Sequence, residues 1–269
     1  MHYEFYYKNH FIIIKTVKNS NKIRTRSFFE YQLFDDQLAK LPKLGKVLVN
    51  TINQYSYCIA EKDQLFKESL VKADILLPDG IGIVWALRFL KGKKISKIAG
   101  ADCHQYLLQY LNVTKGSCFY LGASEQTLKK IQKKNFSDYP QIRVGLYSPP
   151  FKSSFSKEDN RKMLKEVNDF RPDVLFIGMT APKQEKWSYK NLGLIDAQIT
   201  CCIGAVFDFY SGTVNRPNQF WINIGLEWLI RLINEPKRLW KRYLYFGLIF
   251  AGKIIIKKLV KIKNNFGST

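Results

Sequence analysis

Short apolar runs that stop at asparagine, glycine or Pro-Asp-Gly, each followed by a stretch with helical spacing, restrict the fold of this chain more than any other feature. Lys46–Asn50 (KVLVN) reads as a strand, Gln54–Leu70 carries apolar residues at helical spacing, and Asp74–Leu77 forms a second strand closed by Pro78-Asp79-Gly80. Ile81–Leu90 resumes a helical pattern, and Ser117–Leu121 (SCFYL) is a strand turning through Gly122-Ala123 into the helical Ser124–Lys134. Ile142–Tyr147, Val174–Gly178 and Gln198–Gly204 add strands, and Lys157–Phe170 and Gln184–Asn191 add helices. This alternation predicts an α/β fold of Rossmann-like kind, a mostly parallel sheet with helices on both faces.

Composition changes after about Asn223, so the chain divides into an α/β body over 1–223 and a helical appendage over 224–269. Between Lys237 and Lys263 there are nine Lys or Arg and no Asp or Glu, interleaved with Trp240, Tyr243, Tyr245, Phe246 and Phe250. Pro236 suits the first turn of a new helix, where its missing N–H is not needed. The apolar run Tyr243–Gly252 has about half the ~20 residues of a membrane span. With Lys253, Lys257, Lys258 and Lys261 flanking an apolar face, the tail reads as a basic amphipathic helix lying in a membrane interface.

A net charge of +21 over 269 residues calls for a polyanionic partner and does not choose among nucleic acid, anionic lipid and a phosphate-bearing substrate. The five cysteines and three histidines show no metal-ligand spacing and read as buried thiols in a reducing compartment. Phe11–Ile14 is too short for the core of a signal peptide, which places the protein on the cytoplasmic side.

Several residues stand where an open α/β sheet binds ligands, outside the carboxyl ends of its strands. Asp79 is one, although an aspartate before a helix also serves as an N-cap, and spacing leaves both readings open. Thr51 and Asn53 follow the Lys46 strand and have the same two readings. Gly122-Ala123-Ser124 offers backbone N–H groups and a helix N-terminus to a phosphate or ribose, without a full GxGxxG. Gln184 and Glu185 fall in the first turn of a helix, where they can face a ligand, and where acids are favoured in any case. Asp208 sits in an apolar run with Arg216 beyond it, and a buried aspartate needs a partner. Arg231, Arg238 and Arg242, spaced seven and four apart with Lys241 adjacent, would share one face if a helix ran through them, either as a diphosphate clamp or as a solvated basic face.

The strings LLPDGIGIVWA, FYLGAS, PDVLFIGMTAPKQEKW, IGAVFDFYSGTVNRP and GLEWLIRLINEPKRLWKRYL, in that order from about Val47 to Tyr243, resemble the WecG/TagA/CpsF glycosyltransferase family. The resemblance implies an inverting enzyme that moves a sugar from a UDP-sugar donor to an undecaprenyl-diphosphate-linked saccharide, in building bacterial surface polymers such as wall teichoic acid, capsule or exopolysaccharide. It implies that Asp79 is the catalytic base, with Thr51 and Asn53 beside it, and that Gln184 binds substrate. It further implies that Arg231, Arg238 and the Lys241-Arg242 pair reach over the pocket to hold the diphosphate. Where the family often has Gly-Met-Gly, this chain has Gly178-Met179-Thr180, and nothing is carried over to residues before about Leu41.

No two aspartates are separated by a single residue, so no metal-binding Asp-x-Asp exists, and the expected chemistry uses neither metal nor cofactor. The expected partners are the nucleotide sugar, the lipid-linked acceptor and an anionic membrane surface, with no nucleic acid; the oligomeric state stays open, a homo-oligomer included. Two other classes compete: a Rossmann-type dinucleotide enzyme, disfavoured by the missing glycine fingerprint, and a basic nucleic-acid-binding protein, motivated by charge alone.

Overall fold

A computed structural model describes residues 3–8, 11–16, 23–43 and 45–266, with side chains from residue 23 to 260. Two strands, β1 (Tyr3–Lys8) and β2 (Phe11–Thr16), pair antiparallel as a separate ribbon. The hairpin β3 (Thr25–Phe28) and β4 (Tyr31–Phe34) then opens the main sheet at one edge. Next come β5 (Val47–Ile52), α1 (Gln54–Ala60), α2 (Gln64–Val71), β6 (Ile75–Pro78), α3 (Ile81–Lys91) and α4 (Gly100–Thr114). The chain continues through β7 (Ser117–Gly122), α5 (Glu125–Asp138), β8 (Arg143–Tyr147), α6 (Lys157–Phe170), β9 (Val174–Gly178), α7 (Lys183–Asn191) and β10 (Ile199–Cys202). It ends in helices: α8 (Val206–Tyr210), α9 (Gln219–Asn223), α10 (Glu227–Asn234), α11 (Pro236–Trp240), a π-helical turn at Lys241–Tyr245, and α12 (Phe246–Phe266).

The eight-stranded sheet has the order β3-β4-β6-β5-β10-β9-β7-β8 and is parallel except for β3. The expected α/β architecture with a helical C-terminal appendage is therefore present. Strand side chains alternate between two cores, as a period of two dictates. Val47, Val49, Ile75, Leu77, Tyr120 and Phe176 face α4, α5 and α8, whereas Leu48, Leu76, Phe119, Leu121, Leu175 and Ile177 face the helices of the other side. Both faces are covered, which is why these strands are nearly continuous in apolar residues.

One helix break departs from the sequence pattern. Apolar spacing runs unbroken through Gln54–Leu70, yet the chain turns at Glu61–Asp63, because Asp63 accepts from the Phe66 N–H and starts α2 anew. No single helix runs through Arg231, Arg238 and Arg242: α10 ends at Asn234, the chain bends at Glu235, and Pro236 opens α11 in its first turn, where the sequence placed it. The last helix is not detached from the body. Phe250 and Ile254 of α12 are buried with Tyr57 of α1 and Ile83 and Leu87 of α3.

Candidate active site

Beyond β5 and β10 the connections diverge, β5 leading into α1 on one face and β10 into α8 on the other. Such divergence opens a crevice at the carboxyl ends of the strands. Here it opens into a cavity of about 1080 Å³, roofed by α10, α11 and the turn after them.

On the floor, Thr51 lies in β5, in register with Leu77 of β6, and the Asp79 N–H donates to the Ile52 carbonyl at 2.9 Å, so Thr51 and Asp79 sit at adjacent strand ends. Asp79 does not cap α3. The N-cap is Gly80, with no side-chain hydrogen bond, and Asp79 Oδ2 instead receives the Gly100 N–H at the start of α4, at 3.5 Å. Burial raises the pKa of Asp79 above the usual carboxylate range; Lys97, the Gly100 N–H and Arg231 oppose the rise, and Glu227 adds to it. Asn53 takes the capping role: its Oδ1 accepts from the N–H groups of Tyr55 (3.1 Å) and Ser56 (3.0 Å), fixing α1 at the cavity edge.

Farther along the floor, Gly122 and Ala123 form the turn after β7. Gly122 has φ +123° and a Cβ there would lie 2.5 Å from the Gly178 carbonyl oxygen, so only glycine allows β7 and β9 to approach this closely. That carbonyl accepts the Ala123 N–H at 3.1 Å, and Ser124 caps α5. Gln184 stands in the first turn of α7, its Oε1 accepting the Met179 N–H at 3.1 Å and its Nε2 donating to Glu185 Oε1 at 2.8 Å.

The roof carries the cations. Arg231 of α10 lies over the Phe209 ring, and its buried Nε has no hydrogen-bond partner. Arg238 of α11 pairs with Glu235 at 2.7 Å and approaches Asp208 at 3.9 Å, while Arg242 lies over the Tyr55 ring and Lys241 is exposed beside it. Although the helix through them is broken, Arg231, Arg238, Lys241 and Arg242 all line the same cavity as Thr51, Asn53, Asp79, Gly122, Ala123 and Gln184. Arg216 lies elsewhere, paired with Asp102 at 2.9 Å.

Sequence reasoning passed over two lining residues, Lys97 and Gln54, and left a third, Glu185, undecided. Lys97, between α3 and α4, pairs with Glu227 of α10 next to Asp79 and so joins floor to roof. Its segment KKISKIAG contains three lysines and no motif that singles one out. Glu185 was visible beside Gln184, but an acid in a first turn is ordinary, and nothing local reveals that it is buried. Gln54 also lines the cavity, and its buried Oε1 is without a partner. Among the described residues no group of His, Cys, Asp and Glu has the geometry of a metal site.

The sequence profile of the glycosyl transferase WecG/TagA/CpsF family matches residues 29–264. A protein of Bacillus subtilis (strain 168) named N-acetylglucosaminyldiphosphoundecaprenol N-acetyl-beta-D-mannosaminyltransferase is 32% identical over 226 residues, 84% of this chain and 83% of that protein. Proteins of the same name from Bacillus spizizenii and Staphylococcus aureus (strain MW2) are 30% and 24% identical, over 69% and 81% of this chain and 70% and 82% of their own lengths.

Proposed function

The chain belongs to the WecG/TagA/CpsF family of glycosyl transferases, and from that premise we propose that it moves N-acetylmannosamine from a UDP-linked donor to N-acetylglucosamine on undecaprenyl diphosphate, with inversion. The convergence of a raised carboxylate, Asp79, and a set of roof cations on one crevice carries this reading. The names of the relatives supply the sugar and the acceptor.

In this mechanism Asp79 takes the proton from the acceptor hydroxyl as its oxygen attacks the anomeric carbon. The C–O bond to the nucleotide breaks, and UDP leaves with the bonding pair. A carboxyl with a raised pKa is the stronger base, and a positioned base contributes about 10²- to 10⁴-fold. Negative charge that grows on the departing diphosphate is met by Arg231, Arg238, Lys241 and Arg242, and by the N-terminus of α5. In this reading these cations take over the charge-neutralising work that a divalent metal does in other transferases, so transfer is expected to proceed in excess EDTA.

The site works at a membrane surface, cytoplasmic in the proposed setting, because its acceptor is a lipid. No described helix is long and apolar enough to cross a bilayer. Instead Leu248, Ile255, Ile256 and Leu259 of α12 face outward, and Trp85 and Phe89 of α3 stand exposed on the neighbouring helix. The lysines of α12 expected to meet lipid turn toward the body: Lys253 pairs with Glu61, Lys257 donates to the Tyr57 hydroxyl, and Lys258 donates to the Phe89 carbonyl. The Lys261 side chain lies outside the described residues. The apolar stripe and exposed cations such as Arg88, Lys93 and Lys94 therefore supply the lipid contact in this arrangement. Co-sedimentation with anionic vesicles that Ile256→Glu leaves unchanged would refute it.

The test of the reaction is incubation with UDP-N-acetylmannosamine and a short-chain lipid diphosphate bearing N-acetylglucosamine, read by mass spectrometry. A product heavier by one N-acetylhexosamine residue is expected; absence of transfer by folded protein on vesicles sinks the proposal.

A further inference from the structure

The cavity wall beside β9 and β10 holds a carboxyl that the transfer chemistry leaves unused. Glu185 lines the cavity although only 2% of it is exposed, and its Oε2 has no partner. Its Oε1 accepts from Gln184 Nε2 at 2.8 Å, and Gln184 Oε1 accepts the Met179 N–H at 3.1 Å. These two bonds fix which end of the Gln184 amide is oxygen and use one of its two N–H groups. What remains, side by side on the wall, is one amide N–H and one carboxyl oxygen.

The surroundings decide what this pair suits. Burial pushes the Glu185 carboxyl up to about 7, against the Gln184 hydrogen bond and the charge of Arg242. The Cys202 thiol of β10, bonded to the Ser188 hydroxyl, is the other titratable neighbour, and Lys186 is turned away to Asp63. Near neutrality the carboxyl is therefore present in both forms. A hydroxyl satisfies either one, accepting from the acid and donating to the carboxylate, whereas an amide carbonyl suits only the acid and an N–H only the carboxylate. Leaving a buried oxygen unbonded costs free energy that such a ligand contact recovers.

We propose that Glu185 and the remaining N–H of Gln184 form a subsite for two adjacent hydroxyls of a bound sugar ring, one accepting from Gln184 Nε2 and the other hydrogen-bonded to Glu185 Oε2. The subsite rests on the nucleotide-sugar reading above. Two rings of such a donor carry adjacent hydroxyls, its ribose and its pyranose, and the probes below separate them.

Calorimetric titration with UDP and with UDP-N-acetylmannosamine, on the full chain and its Glu185→Gln and Glu185→Leu variants, tests it, with melting temperature recorded alongside. Glu185→Leu weakens binding about 10-fold, as loss of one hydrogen bond predicts: for the nucleotide sugar alone if the pyranose is held, and for both probes if the ribose is. Glu185→Gln still accepts from Gln184 and offers an N–H to a hydroxyl, so it stays within about 3-fold of wild type. Unchanged affinities for Glu185→Leu overturn the subsite. Equal losses in both variants, matched by equal falls in melting temperature, also overturn it, since a carboxyl needed only for folding behaves that way. Wild-type protein that binds neither probe overturns the nucleotide-sugar reading itself, and the subsite with it.

Discussion

The floor of the cavity and its roof are held by different forces. On the floor, main-chain hydrogen bonds fix the functional residues: Asp79 N–H to the Ile52 carbonyl, Ala123 N–H to the Gly178 carbonyl, α1 under its Asn53 cap and α5 under Ser124. Buried strands lie beneath them, and no ligand competes for these bonds. The roof is held by the buried Leu239 together with side-chain charge: Glu227 on Lys97, and the Arg231 and Arg242 guanidinium groups on the rings of Phe209 and Tyr55. A phosphate exchanges with contacts of that kind readily. The comparison teaches a division of labour, in which the floor sets the geometry of the chemistry and the roof adjusts to the charge of what is bound.

The largest expected effect lies on the floor. Asp79→Asn removes the proposed base without changing shape, so kcat should fall by about 10²- to 10⁴-fold. The melting temperature stays level or rises, because an uncharged amide replaces a carboxyl whose ionised form burial disfavours. Turnover near wild type in the folded variant would show that the floor does not set the chemistry.

On the roof, Arg231→Ala should instead weaken binding. A charge-assisted hydrogen bond to phosphate is worth about 1.5–3 kcal/mol, which corresponds to roughly 10- to 100-fold in KM for the nucleotide sugar. Because the same guanidinium also meets the charge that grows on the leaving diphosphate, kcat should fall as well, but by less than in Asp79→Asn. Steady-state kinetics with donor varied decides it, and a loss confined to kcat would erase the distinction between floor and roof.

The same contrast explains what was legible in the sequence. The floor residues stand where apolar runs stop, and strand-end turn chemistry is local, so spacing placed Thr51, Asp79 and the Gly122-Ala123 turn at strand ends while leaving their roles open. The hairpin of β3 and β4 was not, because nothing in its short strands announces which edge of a sheet they will join. The roof was visible only as a charge pattern, and the break at Glu235 shows why: Arg231 and Arg238 reach one cavity from two helices rather than from one face. Lys97 was hidden and Glu185 left undecided for a related reason: the weight of Lys97 comes from a partner 130 residues away, and that of Glu185 from tertiary burial.

Lys97 joins the two regions, which makes its substitution a sharper probe. Its charge lowers the pKa of Asp79 against the effect of burial, while Glu227 raises it. In Lys97→Met the Asp79 pKa therefore rises further, and because the base works deprotonated, the acidic limb of the kcat/KM profile moves to higher pH. Glu227→Gln moves the same limb the other way. The expected change at pH 6 is a few-fold beyond that at pH 8. Parallel profiles for the two variants would mean that the roof does not tune the floor.

The smallest effect separates the two kinds of support by stability alone. Asn53→Ala removes a cap that satisfies two main-chain N–H groups at the start of α1, and such a loss costs about 1 kcal/mol in any salt. Lys253→Gln removes a half-exposed pair with Glu61, at 3.0 Å, by which α12 is tied to the end of α1. Pairs of this kind contribute only a few tenths of a kcal/mol, because two long side chains must be ordered and water screens them. In urea titrations at low salt, Asn53→Ala should lower the unfolding midpoint clearly and Lys253→Gln barely. Raising the salt to about 0.5 M, where charges are screened over a few ångströms, should erase the second difference and leave the first. If Lys253→Gln cost as much as the lost cap, or kept its cost at high salt, this part of the appendage would be held as rigidly as the floor, and the roof above the cavity would have to be regarded as fixed too.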